Sequence, residues 1–295
     1  MAWKMTLAAI LVSIIIFSPV AVVVSQPLLQ VQTQEQTKGG EGIQGTALAN
    51  DVTPAKKPSQ GIATGSPIEL GDNANRFAII IGISDYAGTV NDLDYCDDDA
   101  IDFKNALLSM GWIEGNIILL LDGDATRDGI LSAIGEIESI EGSNDEVVFF
   151  FSGHGSTGVA NDGDDERKDE CIIPYECQQE YFIWDGELWE AFSGFESQRM
   201  LFVFDSCYSG GMKDLAAPGR LILMACGEKQ LSLESDTWEN GQFSYYFADQ
   251  GLLNRKADLN GDSKIAFEEA FDYAKANCRS QTPTAFDGFA FDMLP

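Results

Sequence analysis

Val147-Val148-Phe149-Phe150-Phe151 runs without a polar residue into Ser152-Gly153-His154-Gly155. Met200-Leu201-Phe202-Val203-Phe204 does the same and ends in Asp205-Ser206-Cys207-Tyr208-Ser209-Gly210-Gly211. Short apolar runs bounded by turn residues read as strands buried on both faces, the kind that build parallel sheets. In open α/β sheets the chemistry sits just past the carboxyl ends of such strands. One strand therefore delivers an imidazole and the other a thiol to the same sheet edge. A lone histidine is usually a satisfied structural residue, and a lone cysteine a buried apolar one. Two of them at two strand ends, each followed by glycine or serine turns, point instead to a cysteine nucleophile with a histidine partner.

The surrounding chain alternates in the same way. Phe77 to Ile83 and Asn116 to Leu121 read as strands, and Leu221 to Ala225 as a fifth. Helical spacing of apolar residues predicts helices over Asp97 to Ser109, from Thr126 through Ile137, over Asp185 to Phe192, Gln242 to Gln250 and Phe267 to Asn277. Strand–helix alternation gives a mainly parallel sheet of five or six strands covered on both faces.

The amino-terminal quarter differs. Lys4 precedes the apolar run Met5 to Val24, and small residues follow near Ser25, so residues 1–25 read as an export signal, with an uncleaved membrane anchor as the alternative. Residues 26–75, rich in Gln, Gly, Thr, Ala, Pro and Ser, read as a low-complexity linker or pro-segment. The expected location is secreted or extracytoplasmic, and 76–295 is the expected folded domain. Forty-seven Asp and Glu against 18 Lys and Arg give a net charge of −29, which repels nucleic acid and anionic lipid but attracts cationic peptides and divalent metals. Of six cysteines, Cys171 and Cys177 are near enough in sequence to bridge, whereas Cys207 must stay free.

Physical chemistry assigns roles to the pair. An imidazole beside Cys207 can take the thiol proton or protonate a leaving amine, and the backbone N–H groups of Gly155 and Cys207 are candidates for an oxyanion hole. The two motifs, with Leu93-Asp94-Tyr95-Cys96-Asp97-Asp98-Asp99-Ala100 and Gln281-Thr282-Pro283, resemble those of the caspase-like cysteine peptidases, the metacaspases above all. The resemblance implies a caspase-like three-layer α/β sandwich, nucleophilic attack by Cys207 and proton transfer by His154. It also implies a pocket for arginine or lysine before the cleaved bond, built from Cys96, Asp99, Ser152 and Asp205, and a monomer acting on protein or peptide substrates. Paired carboxylates in a closed pocket suit a guanidinium or ammonium. The linker's Lys38, Lys56 and Lys57, and Arg76 at its end, are candidate maturation cuts.

Two calcium sites are expected. The resemblance maps an activating ion onto Asp169, Asp185 and Asp214. Gly186 stands where the family has a further aspartate, so Glu187 or water must replace it. The second candidate, over 258–269, follows the twelve-residue EF-hand pattern, with Asp258, Asn260, Asp262, the Lys264 carbonyl and Glu269 as ligands and Ser263 in place of the usual glycine. Two rival functions stay open: a legumain-like peptidase or transpeptidase acting at asparagine, and a catalytically inert calcium-binding interaction module.

Overall fold

The computed structural model describes residues 61–160, 162 and 168–295. The expected signal or anchor and Lys38, Lys56 and Lys57 lie outside the described residues. Among those described, no helix is long and apolar enough to cross a membrane.

The main-sheet strands are β1 (Arg76–Gly82), β2 (Ile117–Leu121), β3 (Glu146–Ser152), β7 (Met200–Asp205), β8 (Arg220–Met224) and β9 (Thr284–Asp287). Between β3 and β7 lie β4 (Gly155–Gly158), β5 (Asp169–Ile172) and β6 (Ile183–Trp184), which form a separate antiparallel sheet. The helices are α1 (Cys96–Ser109), α2 (Arg127–Glu138), α3 (Asp185–Ala191) and α4 (Phe267–Asn277). The main sheet runs β9-β8-β7-β3-β1-β2, parallel throughout except for β9 at its edge.

Strand periodicity explains the layers. Ile79, Ile81, Phe149, Phe151, Phe202 and Phe204 share one face and pack with Ile130, Ile134 and Ile137 of α2 and Leu188 of α3. Ala78, Ile80, Val148, Phe150, Leu201 and Val203 share the other, against Phe103 of α1 and Phe267 and Phe271 of α4. Each buried phenylalanine contributes about 1.5–3 kcal/mol, and Phe103 also stacks on Phe150 with centroids 4.6 Å apart. Helix α2 starts where Thr126 accepts the Gly129 amide proton at 3.1 Å. The result is a three-layer α/β sandwich with a mainly parallel sheet, as expected of a caspase-like fold.

Three features depart from the sequence reading. Strand β9 and the β4–β6 sheet were not anticipated, because their pairing is antiparallel and their segments short. The helix expected over Gln242 to Gln250 is one α-turn, Gln242–Ser244, that continues as a π-helix, Tyr245–Leu253. All six cysteines are free, so Cys171 and Cys177 do not bridge.

The fourth departure concerns the domain boundary. The amides of Ile62 and Ala63 donate to Asp272 at 2.9 and 3.0 Å, and those of Thr64 and Gly65 to Asp292 at 2.7 Å each. Pro67–Ile68 then pairs in parallel with Asp292–Met293. The folded unit thus reaches back to Gly61. Arg76 opens β1 opposite Glu146, which is buried and also holds Arg199 at 3.1 Å. A cut after Arg76 would sever a central strand at its first pairing, so Arg76 is a structural residue and not a maturation site. N-terminal sequencing of any processed, folded form should therefore find a start no later than Gly61; a stable form beginning at Phe77 would refute this.

Candidate active site

The register of the parallel strands decides what meets at the carboxyl edge. Gly82 pairs with Ser152, and Ser152 with Asp205. His154 lies two residues beyond Ser152, and Cys207 two beyond Asp205. The loops touch: the Gly153 amide donates to the Asp205 carbonyl at 3.2 Å, and a methyl group at 155 would sit 2.2 Å from the Cys207 carbonyl oxygen. Only glycine lets the two backbones approach this closely. Beyond Cys207, Tyr208 adopts a left-handed φ of 61°, which costs a residue of its kind about 1 kcal/mol or more. A bond from its amide to the Gln230 carbonyl at 2.8 Å holds the turn.

The imidazole is fixed by groups that sequence reading missed. His154 Nε2 lies 2.8 Å from the Asn91 carbonyl oxygen, an acceptor only, so Nε2 carries the proton and Nδ1 is left as the base. Tyr86 packs on the ring with centroids 4.9 Å apart, and its hydroxyl accepts the His154 amide proton at 2.7 Å. Burial lowers the His154 pKa, opposed by the Asn91 bond, which favours the neutral imidazole that a general base requires. Cys207 is 7% exposed, with Sγ 3.9 Å from the Ser232 carbonyl oxygen. Neither Asn91 nor Tyr86 carried a signal in sequence, since one acts through its backbone and the other reads as core.

Beneath this edge the four expected pocket residues converge. Ser152 Oγ donates to Asp99 Oδ2 at 2.7 Å, and the Gly241 amide to Asp99 Oδ1 at 2.9 Å. Asp205 accepts from the Ser244 hydroxyl at 2.7 Å, from the Ser244 amide at 2.9 Å, and from Ser232. A methyl at 241 would lie 2.6 Å from an Asp205 oxygen and 2.9 Å from one of Asp99, so both carboxylates face the same spot. Cys96, buried, completes the group beside Ser152. Among the described residues no lysine or arginine pairs with either aspartate. Burial raises the pKa of both, and for Asp99 the neighbouring Asp205 charge adds to it. Ser232, Asn240, Gly241 and Ser244, absent from the sequence reading, come from the chain after β8 and wall the pocket.

The second cluster joins the two catalytic loops from behind. Carboxylate oxygens of Asp162, Asp169 and Asp185 lie within 4.8 Å of one another, as do those of Glu170, Asp185 and Asp214. The expected Asp169 and Asp214 therefore each group with Asp185, the first beside Asp162 and the second beside Glu170, but not with one another. Burial, reinforced by Asp162, Asp214 and Glu170, pushes Asp185 up to about 8. One side of each Asp169 and Asp185 carboxyl is buried without a hydrogen-bond partner, which suits hard-cation coordination by oxygen. Glu187 is not the substitute for Gly186, because Arg127 pairs with it and donates to its Oε2 at 3.0 Å.

The 258–269 loop is exposed from Asn260 to Lys264 and buried from Ile265 onwards. Asp258 accepts amide protons from Gly261 at 2.8 Å and Ser263 at 3.1 Å. Ser263 adopts φ 68°, the left-handed conformation for which the pattern uses glycine. Asp262 accepts from the Lys264 amide at 2.8 Å, and Glu269 from the Ala266 amide at 3.2 Å.

Residues 76–216 match the family model described as metacaspase, peptidase C14 domain. Among curated relatives, Metacaspase-1 of Lodderomyces elongisporus is 32% identical over 157 residues, covering 48% of this chain and 35% of the relative. Metacaspase-2 of Trypanosoma brucei brucei is 29% identical over 186 residues, covering 59% and 53%. A relative from the same organism, 30% identical over 147 residues and covering 46% and 41%, is named inactive metacaspase-4. The chain thus spans about half or less of the length of these relatives. Among solved structures, a Geobacter sulfurreducens protein superposes with a TM-score of 0.56 over 72% of this chain and 92% of that one, at 22% identity, a likeness of fold.

The buried aspartates set a pH signature on stability. A carboxyl whose folded pKa is raised above its unfolded value contributes fully below the unfolded pKa and loses that contribution as pH rises through the folded one. Asp99→Asn should therefore gain melting temperature relative to wild type as pH rises from about 4 to 8. Thermal melts followed by circular dichroism check this. A pH-independent gap between the two proteins would contradict it.

Proposed function

We propose that the protein, whose residues 76–216 match the metacaspase, peptidase C14 domain model, is a cysteine endopeptidase that cuts after arginine or lysine. One observation carries the reading: two buried carboxylates, Asp99 and Asp205, face one spot under the strand end that presents Cys207. A guanidinium entering there supplies the positive charge that both lack, through charge-assisted hydrogen bonds. A pocket for aspartate would need basic groups at these positions.

The chemistry follows from the residues at the edge. Cys207 Sγ attacks the scissile carbonyl while His154 Nδ1 takes the thiol proton. Amides of Gly155 and Cys207 receive the developing oxyanion. As the tetrahedral adduct collapses, the imidazolium returns its proton to the departing amine, leaving a thioester. Water, deprotonated by the same nitrogen, then adds to the thioester carbonyl, and the acid product and free thiol are released.

Calcium belongs to the same proposal. Asp169, Asp185 and Asp214 would hold it, and the buried, unpartnered oxygens of Asp169 and Asp185 support the fit. Bound there, it would supply positive charge linking two loops. Asp169 lies in β5, which pairs with the strand following His154, and Asp214 in the Ser209–Leu215 turn following Cys207. A second ion at Asp258, Asn260, Asp262, the Lys264 carbonyl and Glu269 would be structural. The left-handed Ser263 supports that reading. An extracytoplasmic monomer, activated by self-cleavage at Lys38, Lys56 or Lys57, completes the proposal; Lys4 and the apolar run behind it support export.

The test is hydrolysis of fluorogenic peptides ending in Arg, Lys, Asn or Asp by residues 26–295, wild type and Cys207→Ala, each with calcium and with chelator. The expected result is calcium-stimulated cleavage after Arg and Lys that the variant loses. Its kcat/KM should rise with pH as Asp99 and Asp205 ionise. Cleavage after Asn alone would favour the legumain-like reading. No cleavage under any condition would favour an inert module, a reading that the name of the inactive relative keeps in view.

A further inference from the structure

Asp162 stands directly over Gly186. Its Oδ2 accepts the Gly186 amide proton at 3.1 Å, and a methyl group at 186 would lie 2.8 Å from that oxygen and from Cγ. The Asp162 carboxyl therefore occupies the room that a side chain at 186 would need. Its other oxygen, Oδ1, is buried without a hydrogen-bond partner among the described residues, and the carboxylate belongs to the group formed with Asp169 and Asp185. Asp169 and Asp185 are each 1% exposed, and Oδ1 of the first and Oδ2 of the second also lack a partner. Their remaining oxygens are engaged, by the Ala160 amide at 2.6 Å and the Gly186 amide at 3.1 Å. The three carboxylates thus place oxygens within 4.8 Å of one another, and each keeps a buried oxygen with no hydrogen-bond partner among the described residues. Such an arrangement costs several kcal/mol unless a cation or protons compensate it.

We infer that Asp162 is a calcium ligand of this chain, supplying from the segment after β4 the carboxylate that Gly186 lacks. The inference rests on reading the cluster as a calcium site. Helix α3 elsewhere offers no replacement, since Glu187 is committed to Arg127. Asp185 then serves as the common ligand, shared between the Asp162–Asp169 side and the Glu170–Asp214 side. The arrangement has a steric corollary. The space over 186 admits one carboxylate, and it can be carried either by residue 162 or by residue 186.

Isothermal titration of calcium into the full chain carrying Cys207→Ala and Asp258→Asn tests this, the first change preventing self-cleavage and the second silencing the carboxy-terminal loop. Asp162→Asn should weaken the dissociation constant roughly tenfold or more. Adding Gly186→Asp to Asp162→Ala, which clears the space over 186, should return it towards the parent value. Melting curves in chelator would establish that each variant folds. If Asp162→Asn binds as the parent does while Asp185→Asn loses binding, the calcium site stands and the role of Asp162 is overturned. Failure of that double variant to recover, with Asp162→Ala folded and weakened, also overturns it. If Asp169→Asn and Asp185→Asn bind unchanged, the calcium reading falls with it.

Discussion

The in-register pairing of β3 with β7 is the constraint from which the rest of the site follows. Phe151 against Phe204 and Ser152 against Asp205 bring both strands to an end at the same level. A slip of one residue would exchange the layers into which Phe149, Phe150 and Phe151 pack, sending two rings where one is accommodated. Packing on both faces thus enforces the register, and the register brings the loops that carry His154 and Cys207 together. Packing that lies entirely below the sheet edge determines where a thiol and an imidazole stand above it.

The same edge collects negative charge at two depths. Asp99 and Asp205 lie under the catalytic loops, and the cluster around Asp185 lies behind them. Folding must desolvate these groups with few cations of its own, because acidic residues far outnumber basic ones. Hydroxyls and amides from Ser152, Ser232, Gly241 and Ser244 offset part of that cost for the pocket pair. The remainder is held as a potential that any bound cation relieves. Stability and recognition are therefore opposed here, since the charges that strain the folded state are those that would draw a positive group in.

Much of this was legible in the sequence, for physical reasons that vary by element. Four of the parallel strands announced themselves as apolar runs because both of their faces are buried, and the edge strand β2 did so while only half-buried. Cys96, Asp99, Ser152 and Asp205 could be placed because each sits at a fixed offset from a strand or helix end. The groups that orient the histidine could not. Asn91 contributes a carbonyl that any residue possesses, and Tyr86 is 1% exposed and indistinguishable from core until its hydroxyl is seen against His154. Asp162 was lost among its acidic neighbours, because sequence does not say which carboxylate of a run turns inward. Gly61 to Ser66 looked like linker because its bonds use backbone amides, which leave no trace in composition.

That last segment changes how the ends of the folded unit behave. Asp292 receives the amides of Thr64, Gly65 and Ser66, and its neighbour Met293 pairs with Ile68. The first residues of the unit and the last few are consequently one cooperative piece, which frays or holds together. A processive protease or unfoldase that seizes either terminus must break the same set of bonds. Whatever pulls on Gly61 and the residues that follow it is resisted by the opposite end of the chain.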